Sequence, residues 1–299
     1  MKLTVSVSKI AQIFHQRKYR AIAPTLFIIV LLTTLMTGCA PAAENATPTA
    51  AAGAAAGDVI QLKVGASPVP HAEILRYIQE NLAAKEGLEI SIVEFTDYVQ
   101  PNLALAEGQI DANFFQHAPY MEDFANEHQL DLAVAAEVHI EPLGIYSKKI
   151  QSLDEVQDGA VVAIPNDATN SGRALHLLEA NGLIKLKDSA SVTATVQDIV
   201  ENPKNLQIKE LEAAQLPRSL DDTTISVING NYAIEAGFTP SEDALALESG
   251  ENNPYANILA VAKGRENDPG IVKLVKLLNS PEVKQFILDK YQGSVVPAY

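Results

Sequence analysis

Four short apolar runs in this chain each end at a polar turn, and this arrangement limits the possible folds more than any other feature. The turns lie at residues 67–70, 96–102, 116–119 and 166–172, and helical patterns follow them. Strands that alternate with helices through short turns predict an α/β fold with mostly parallel sheets. Ligands of such folds bind beyond the carboxyl ends of the strands, so we expect these turns to line a ligand crevice.

The last of these turns lies between a strand-like run and a leucine-rich helical pattern. Residues 161–164 are apolar and mostly β-branched, and leucines recur at helical spacing after Arg173. Residues 169–171 (Thr, Asn, Ser) are all types that cap helix N-termini through a side-chain oxygen. We therefore predict a strand, a polar turn and a helix that begins at Arg173.

Arg173 is the candidate anion-binding residue of this turn. The positive end of a helix dipole disfavours a cation, so an arginine there needs a negative partner. A guanidinium can hold the carboxylate of a bound ligand with two hydrogen bonds. It can equally pair with a carboxylate of the protein, such as Asp167. The local pattern leaves both alternatives open.

The N-terminus has the order of an export signal. Basic residues between Lys2 and Arg20 precede an apolar segment at 26–32, and Cys39 follows. This order predicts a signal peptide over residues 1–38, and its apolar segment is too short for a lasting membrane span. A buried thiol is the alternative for Cys39, the only cysteine. Residues 39–57, rich in Ala, Pro, Thr and Gly, predict a flexible tether.

The charge and length of the remaining chain limit its function. Without residues 1–38 the chain carries 17 basic and 37 acidic side chains, a net charge of about −20. Such a chain is poorly suited to bind nucleic acid or anionic lipid, and we expect neither as a partner. Residues 58–299 are enough for one large or two modest domains whose core needs no disulfide.

Six segments carry a family resemblance, and they follow one another in family order. They are 97–102 (DYVQPN), 111–120 (DANFFQHAPY), 139–147 (HIEPLGIYS), 165–175 (PNDATNSGRAL), 211–218 (LEAAQLPR) and 227–233 (VINGNYA). Together they resemble the NlpA or MetQ family, the lipoprotein methionine-binding components of bacterial ABC importers. Cys39 matches the lipidated first residue of such lipoproteins, although Met36 stands where Leu is usual.

The resemblance implies a type II periplasmic-binding-protein fold, with two α/β lobes and a ligand cleft between them. Residues 58–142 and 258–299 would form one lobe, and residues 143–257 the other. The implied function is capture of methionine, or a close relative, and delivery to the permease of an ABC importer. The protein would be extracytoplasmic and held at the bacterial cell membrane only by lipid on Cys39. We expect a monomer without a cofactor.

The resemblance also implies a set of ligand-binding residues. Asn170, Arg173 and Asn229 would hold the α-carboxylate and α-amino groups, because a guanidinium matches a carboxylate and amide oxygens accept from an ammonium. Aromatic walls suit a thioether, and four residues would form the side-chain pocket: Tyr98, Phe115, His117 and Tyr120. Each residue also has a purely structural alternative, as core aromatic, satisfied histidine or turn asparagine.

Metal and enzyme functions fit the sequence less well. Four histidines lack close ligand spacing, so we expect no metal site: His71, His117, His128 and His139. Neither a G-x-S-x-G motif nor a cofactor fingerprint is present, and Cys39 is the only thiol. An exported enzyme for amino-acid derivatives is the alternative function, and a surface adhesin is a third. L-Met, D-Met, methionine sulfoxide and Met-containing dipeptides all remain possible ligands.

Overall fold

A computed structural model describes residues 59–189, 191–250 and 253–299. The predicted signal peptide, Cys39 and the tether lie outside the described residues. Within the described part of the chain, no helix combines the length and the hydropathy that crossing a bilayer requires.

The strands and helices are numbered in chain order. The strands are β1 (Ile60–Ala66), β2 (Leu88–Glu94), β3 (Ala112–His117), β4 (Leu132–Ile140), β5 (Gly144–Tyr146), β6 (Val161–Pro165), β7 (Lys185–Leu186), β8 (Ile199–Glu201), β9 (Gln207–Leu211), β10 (Ile225–Ile228), β11 (Ala246–Leu247), β12 (Ala256–Ala262) and β13 (Val296–Pro297). The α-helices are α1 (Glu73–Asn81), α2 (Gln100–Ala106), α3 (Ala118–His128), α4 (Ala168–Ala180), α5 (Leu216–Ser219), α6 (Gly230–Glu235), α7 (Pro240–Asp243), α8 (Pro269–Leu278) and α9 (Pro281–Tyr291).

Two larger sheets organise these elements. The first contains six strands in the order β13–β4–β12–β3–β1–β2, and the second contains five in the order β11–β5–β10–β6–β9. The chain leaves the first sheet after Ile140, enters the second at Gly144, and returns between Leu247 and Ala256. The lobe boundaries at 142/143 and 257/258 stay a prediction.

Both sheets are mixed, so the prediction of mostly parallel sheets was wrong. Strand β1 pairs in parallel with β2 and β3, and β6 pairs in parallel with β9 and β10. Strands β12, β13, β5 and β11 join by antiparallel pairing. Parallel direction follows from a helical crossover between sequence neighbours, and these strands arrive from distant parts of the chain instead.

Each sheet has its own apolar core. Ile74, Leu75 and Ile78 form the buried face of α1 against the first sheet. Leu175 and Leu178 of α4 belong to the core of the second sheet and are fully buried. Because these residues recur at helical spacing, one side of each helix packs on the face of a sheet. The helices therefore cover the faces of the sheets, and the ends of the strands remain available for a site.

Candidate functional site

Helix α4 begins earlier than the sequence predicted. It starts at Ala168, and Asp167 is its N-cap, with Oδ1 accepting from the Asn170 N–H at 2.9 Å. Ser171 therefore lies inside the helix, and Arg173 lies in its second turn. The prediction of a start at Arg173 was wrong because the Asp167 carboxylate, two residues after β6, already caps a free N–H group of the first turn, that of Asn170.

One cavity collects the residues that the sequence singled out. All seven predicted ligand residues line it: Tyr98, Phe115, His117, Tyr120, Asn170, Arg173 and Asn229. The elements around β3 supply one side, and the starts of α4 and α6 supply the other. The roles of these residues as ligand contacts stay predictions.

Asn170 is the centre of a hydrogen-bond network in this cavity. Its Oδ1 accepts from Asn229 Nδ2 at 2.9 Å and lies 3.1 Å from His117 Nε2, and its Nδ2 donates to Asp167 Oδ1 at 2.9 Å. His117 Nδ1 accepts from the Tyr120 N–H at 3.1 Å, which assigns the ring proton to Nε2. The network thus joins β3 of the first sheet to α4 and α6 beside the second.

Two amide atoms in the cavity are buried without a hydrogen-bond partner. They are Asn229 Oδ1, an acceptor, and Asn231 Nδ2, a donor. An unpaired buried polar group costs about 1–3 kcal/mol, and a ligand that carries both an acceptor and a donor can remove this cost. The other amide atom of Asn231, Oδ1, accepts from the Tyr98 hydroxyl at 2.5 Å.

Arg173 is held by the protein's own groups. It is 3% exposed, and its Nε donates to Glu248 Oε1 at 3.0 Å and Oε2 at 3.1 Å. Its Nη2 donates to Glu248 and to the Glu141 carbonyl oxygen at 2.9 Å, and its guanidinium lies 4.4 Å from the Tyr255 ring centroid. Of the two alternatives for Arg173, the structure shows a protein carboxylate, Glu248 rather than Asp167. Only Nη1 lacks a hydrogen bond to a described residue.

Aromatic rings form the apolar side of the cavity. The Tyr98 ring centroid lies 5.9 Å from that of Phe115 and 5.7 Å from that of Tyr120. The Tyr120 hydroxyl donates to the Tyr98 carbonyl oxygen at 3.0 Å, and the Tyr232 hydroxyl donates to the Thr96 carbonyl oxygen at 3.1 Å. These contacts fix the rings, so the apolar wall is preorganised.

Sequence reasoning missed five further residues that line the cavity: Gln116, Glu141, Gly230, Asn231 and Asn257. Glu141 lies between β4 and β5, and a charge between two apolar runs was the signal available in the sequence. A Cβ atom at Gly230 would lie 2.8 Å from Glu141 Cβ, so this approach of α6 to Glu141 requires glycine.

Glu141 also belongs to a buried group with two histidines. Its Oε1 lies 2.8 Å from His139 Nε2 and 3.1 Å from His71 Nε2, and His71 Nε2 lies 3.0 Å from Asn257 Oδ1. The ligating atoms of the group lie within 4.8 Å of one another, a spacing compatible with a metal ion. A hydrogen bond from His139 to Glu141 and one from His71 to Asn257 explain the same arrangement. The expectation of no metal stays a prediction.

The buried histidines predict a specific pH dependence of stability. Burial lowers the pKa of His117 and of His139 to about 3, and that of His71 to about 4. Below about pH 6.5 the unfolded chain binds protons at these positions that the folded protein does not. The free energy of unfolding therefore decreases by about 1.4 kcal/mol per histidine for each unit by which the pH is lowered. Burial raises the pKa of Glu141, which offsets part of this loss.

Urea unfolding between pH 7.5 and 4.5 measures this dependence. We expect the free energy of unfolding to fall steadily below pH 6.5. Replacing the exposed His128 by Gln should leave the slope unchanged, whereas His139→Gln should reduce it. A free energy of unfolding that stays constant or rises on acidification to pH 5 would contradict the assignment.

The fold and the cavity together define a class of protein. Two α/β lobes that enclose a small polar and aromatic cavity are typical of extracytoplasmic substrate-binding proteins. The model of the NlpA lipoprotein family matches residues 62–299, and the chain belongs to this family. The predicted family and two-lobe fold are confirmed, and the family places the protein outside the cytoplasm. Cys39 lies outside the described residues, so its lipidation stays a prediction.

Individual relatives agree with this assignment. The chain is 43% identical over 244 residues to the D-methionine-binding lipoprotein MetQ of Escherichia coli, which covers 81% of this chain and 90% of that protein. A nutrient binding protein from Burkholderia cenocepacia bound to methionine superposes with a TM-score of 0.77 at 46% identity, covering 80% of this chain and 100% of that one. A periplasmic substrate-binding protein of an ABC transporter from Coxiella burnetii superposes with a TM-score of 0.76 at 41% identity, covering 79% and 100%.

Proposed function

We propose that this protein captures methionine, or a close methionine derivative, outside the cytoplasm and delivers it to the permease of an ABC importer. One observation carries the proposal: seven residues from distant segments of the chain, singled out as a methionine site, line a single cavity. The names of relatives at 43% and 46% identity, which refer to methionine, support the same ligand.

The cavity offers complementary groups for each part of an amino acid with a thioether side chain. The rings of Tyr98, Phe115 and Tyr120 provide contacts for a polarizable sulfur, each worth roughly 0.3–1.5 kcal/mol. Arg173 Nη1 and Asn231 Nδ2 are donors for a carboxylate, and Asn229 Oδ1 is an acceptor for an ammonium. The ligand would supply hydrogen-bond partners to the two amide atoms that have none in the protein.

Closure of the lobes around the ligand would connect binding to transport. Tyr98 and Asn231 lie on opposite sides of the cavity and share a hydrogen bond, so the lobes already touch across it. A ligand that binds only this arrangement would favour the closed form, which a permease can distinguish from the open form. A lipid on Cys39 would keep the protein near the permease, and we propose that it acts as a monomer.

A non-catalytic role fits the cavity better than an enzymatic one. Its polar groups are mainly amides with a guanidinium, and these bind and orient a ligand. The hydroxyl groups that line it belong to Tyr98 and Tyr120, and burial raises the pKa of both phenols far above neutral pH. Neither phenol is therefore a base at neutral pH, and an exported enzyme is the weaker alternative.

Calorimetric titration of the full chain, freed of co-purified ligand by unfolding and refolding, tests the proposal. We expect binding of L-Met, D-Met or both, and a stabilisation of about 2.7 kcal/mol at a ligand concentration 100-fold above Kd. Norleucine, which replaces sulfur by a methylene group, is the matched control and should bind more weakly. If methionine, methionine sulfoxide and glycyl-methionine all fail to bind or stabilise the protein, the proposed function is wrong.

A further inference from the structure

Glu141 is the only carboxylate among the described residues that line the cavity. Its side chain is 6% exposed. It lies at the passage from the first sheet to the second, directly after β4, and contacts Gly230 at the start of α6. A carboxylate in this position is costly to bury, so its partners decide what it can do.

All hydrogen-bond partners of this carboxylate are neutral groups. Oε1 accepts from His139 Nε2 and lies 3.1 Å from His71 Nε2, both in rings that burial keeps uncharged at neutral pH, and the Asn231 backbone N–H donates a further hydrogen bond. These donors hold the carboxylate in place without cancelling its charge. Burial raises the pKa of the Glu141 carboxyl group, so a cationic group of a ligand at this edge of the cavity would stabilise its charged form.

The one guanidinium in the cavity is already compensated. Arg173 pairs with Glu248 through Nε and Nη2, and its contact with Glu141 is to the backbone carbonyl oxygen rather than the carboxylate. The guanidinium therefore has Glu248 as its carboxylate partner, and the Glu141 carboxylate has no directly paired cation. A ligand that brings a positive group is the chemistry that balances it.

We propose that Glu141 binds the α-ammonium group of the ligand and makes a free α-amino group a requirement for binding. Asn229 Oδ1, the unpartnered acceptor in the cavity, would share the ammonium, and the carboxylate of the ligand would point to Arg173 Nη1. The inference rests on the proposed function and narrows its substrate class. Free methionine is selected over N-acylated methionine and over dipeptides whose methionine nitrogen is an amide.

A comparison of two ligands in two proteins tests this assignment. Wild type and Glu141→Gln are titrated with L-Met and with its 2-hydroxy analogue, which keeps the carboxylate and thioether but lacks the ammonium. We expect Glu141→Gln to bind L-Met at least about 30-fold more weakly, and to bind the hydroxy analogue with a change below about 3-fold. Glu141→Asp, which keeps the charge, should recover part of the preference for L-Met.

Glu248→Gln is the matched control, because Glu248 acts on the other end of the ligand through Arg173. It should change the affinities for both ligands by the same factor. Equal losses for the two ligands in Glu141→Gln would overturn the inference, and so would an unchanged affinity for L-Met. If Glu141→Gln does not fold, the wild-type protein alone tests the inference. Binding of N-acetylmethionine as tightly as L-Met by wild type would overturn the inference. Failure of wild type to bind any methionine ligand would instead refute the proposed function.

Discussion

Arg173→Ala is expected to abolish detectable methionine binding and to lower the stability of the ligand-free protein. Binding is lost because a buried guanidinium that meets a ligand carboxylate contributes 2–5 kcal/mol or more, a factor of about 30 or greater in Kd. Stability falls because Glu248, 18% exposed, loses the partner of a buried ion pair, which costs about 3–5 kcal/mol before the loss is reduced by its partial exposure.

Two further variants separate these effects. Adding Glu248→Gln to Arg173→Ala removes the unpaired carboxylate, and should recover most of the stability but none of the binding. Arg218→Ala changes an exposed arginine outside the cavity, in the family-like segment 211–218, and should affect neither property. Calorimetry and urea unfolding give the two readouts. Full methionine affinity in Arg173→Ala would show that the anion site lies elsewhere.

Asn170→Ala is expected to have the second largest effect. Its side chain is the shared partner of three groups, so its loss leaves His117 Nε2 and Asn229 Nδ2 without an acceptor and removes a donor from Asp167. Each unsatisfied buried group costs about 1–3 kcal/mol. We expect a loss of roughly 2–5 kcal/mol in the free energy of unfolding, together with a loss of at least about 10-fold in methionine affinity.

Asn181→Ala is the matched control for this variant. Asn181 lies at the C-terminal end of the same helix, is exposed, and donates from Nδ2 only to the Leu177 carbonyl oxygen at 2.8 Å. It should cost below about 1 kcal/mol and leave binding unchanged. An Asn170→Ala protein within about 0.5 kcal/mol of wild type would contradict the central place of Asn170 in the network.

Local sequence patterns were sufficient for the elements that surround the site. The strand before Pro165 and the leucine spacing after Arg173 follow from short-range preferences, and both are present as β6 and α4. The helix start was misplaced because several adjacent residues can cap, and only the geometry of the chain as it leaves β6 selects Asp167. The seven candidate ligand residues came from a family resemblance, and periodicity alone would not have assembled them.

The amino-acid sequence by itself determined the family, the α/β character and the residue types available for a ligand, because these depend on neighbours in the chain. Only the tertiary structure decided which charges meet. Glu248 reaches Arg173 from 75 positions away, and His71, which lies before α1, meets His139 and Glu141 at the end of β4. Such pairs depend on how distant segments of the chain pack within each lobe, and ion pairing between distant side chains leaves no periodic signal in a sequence.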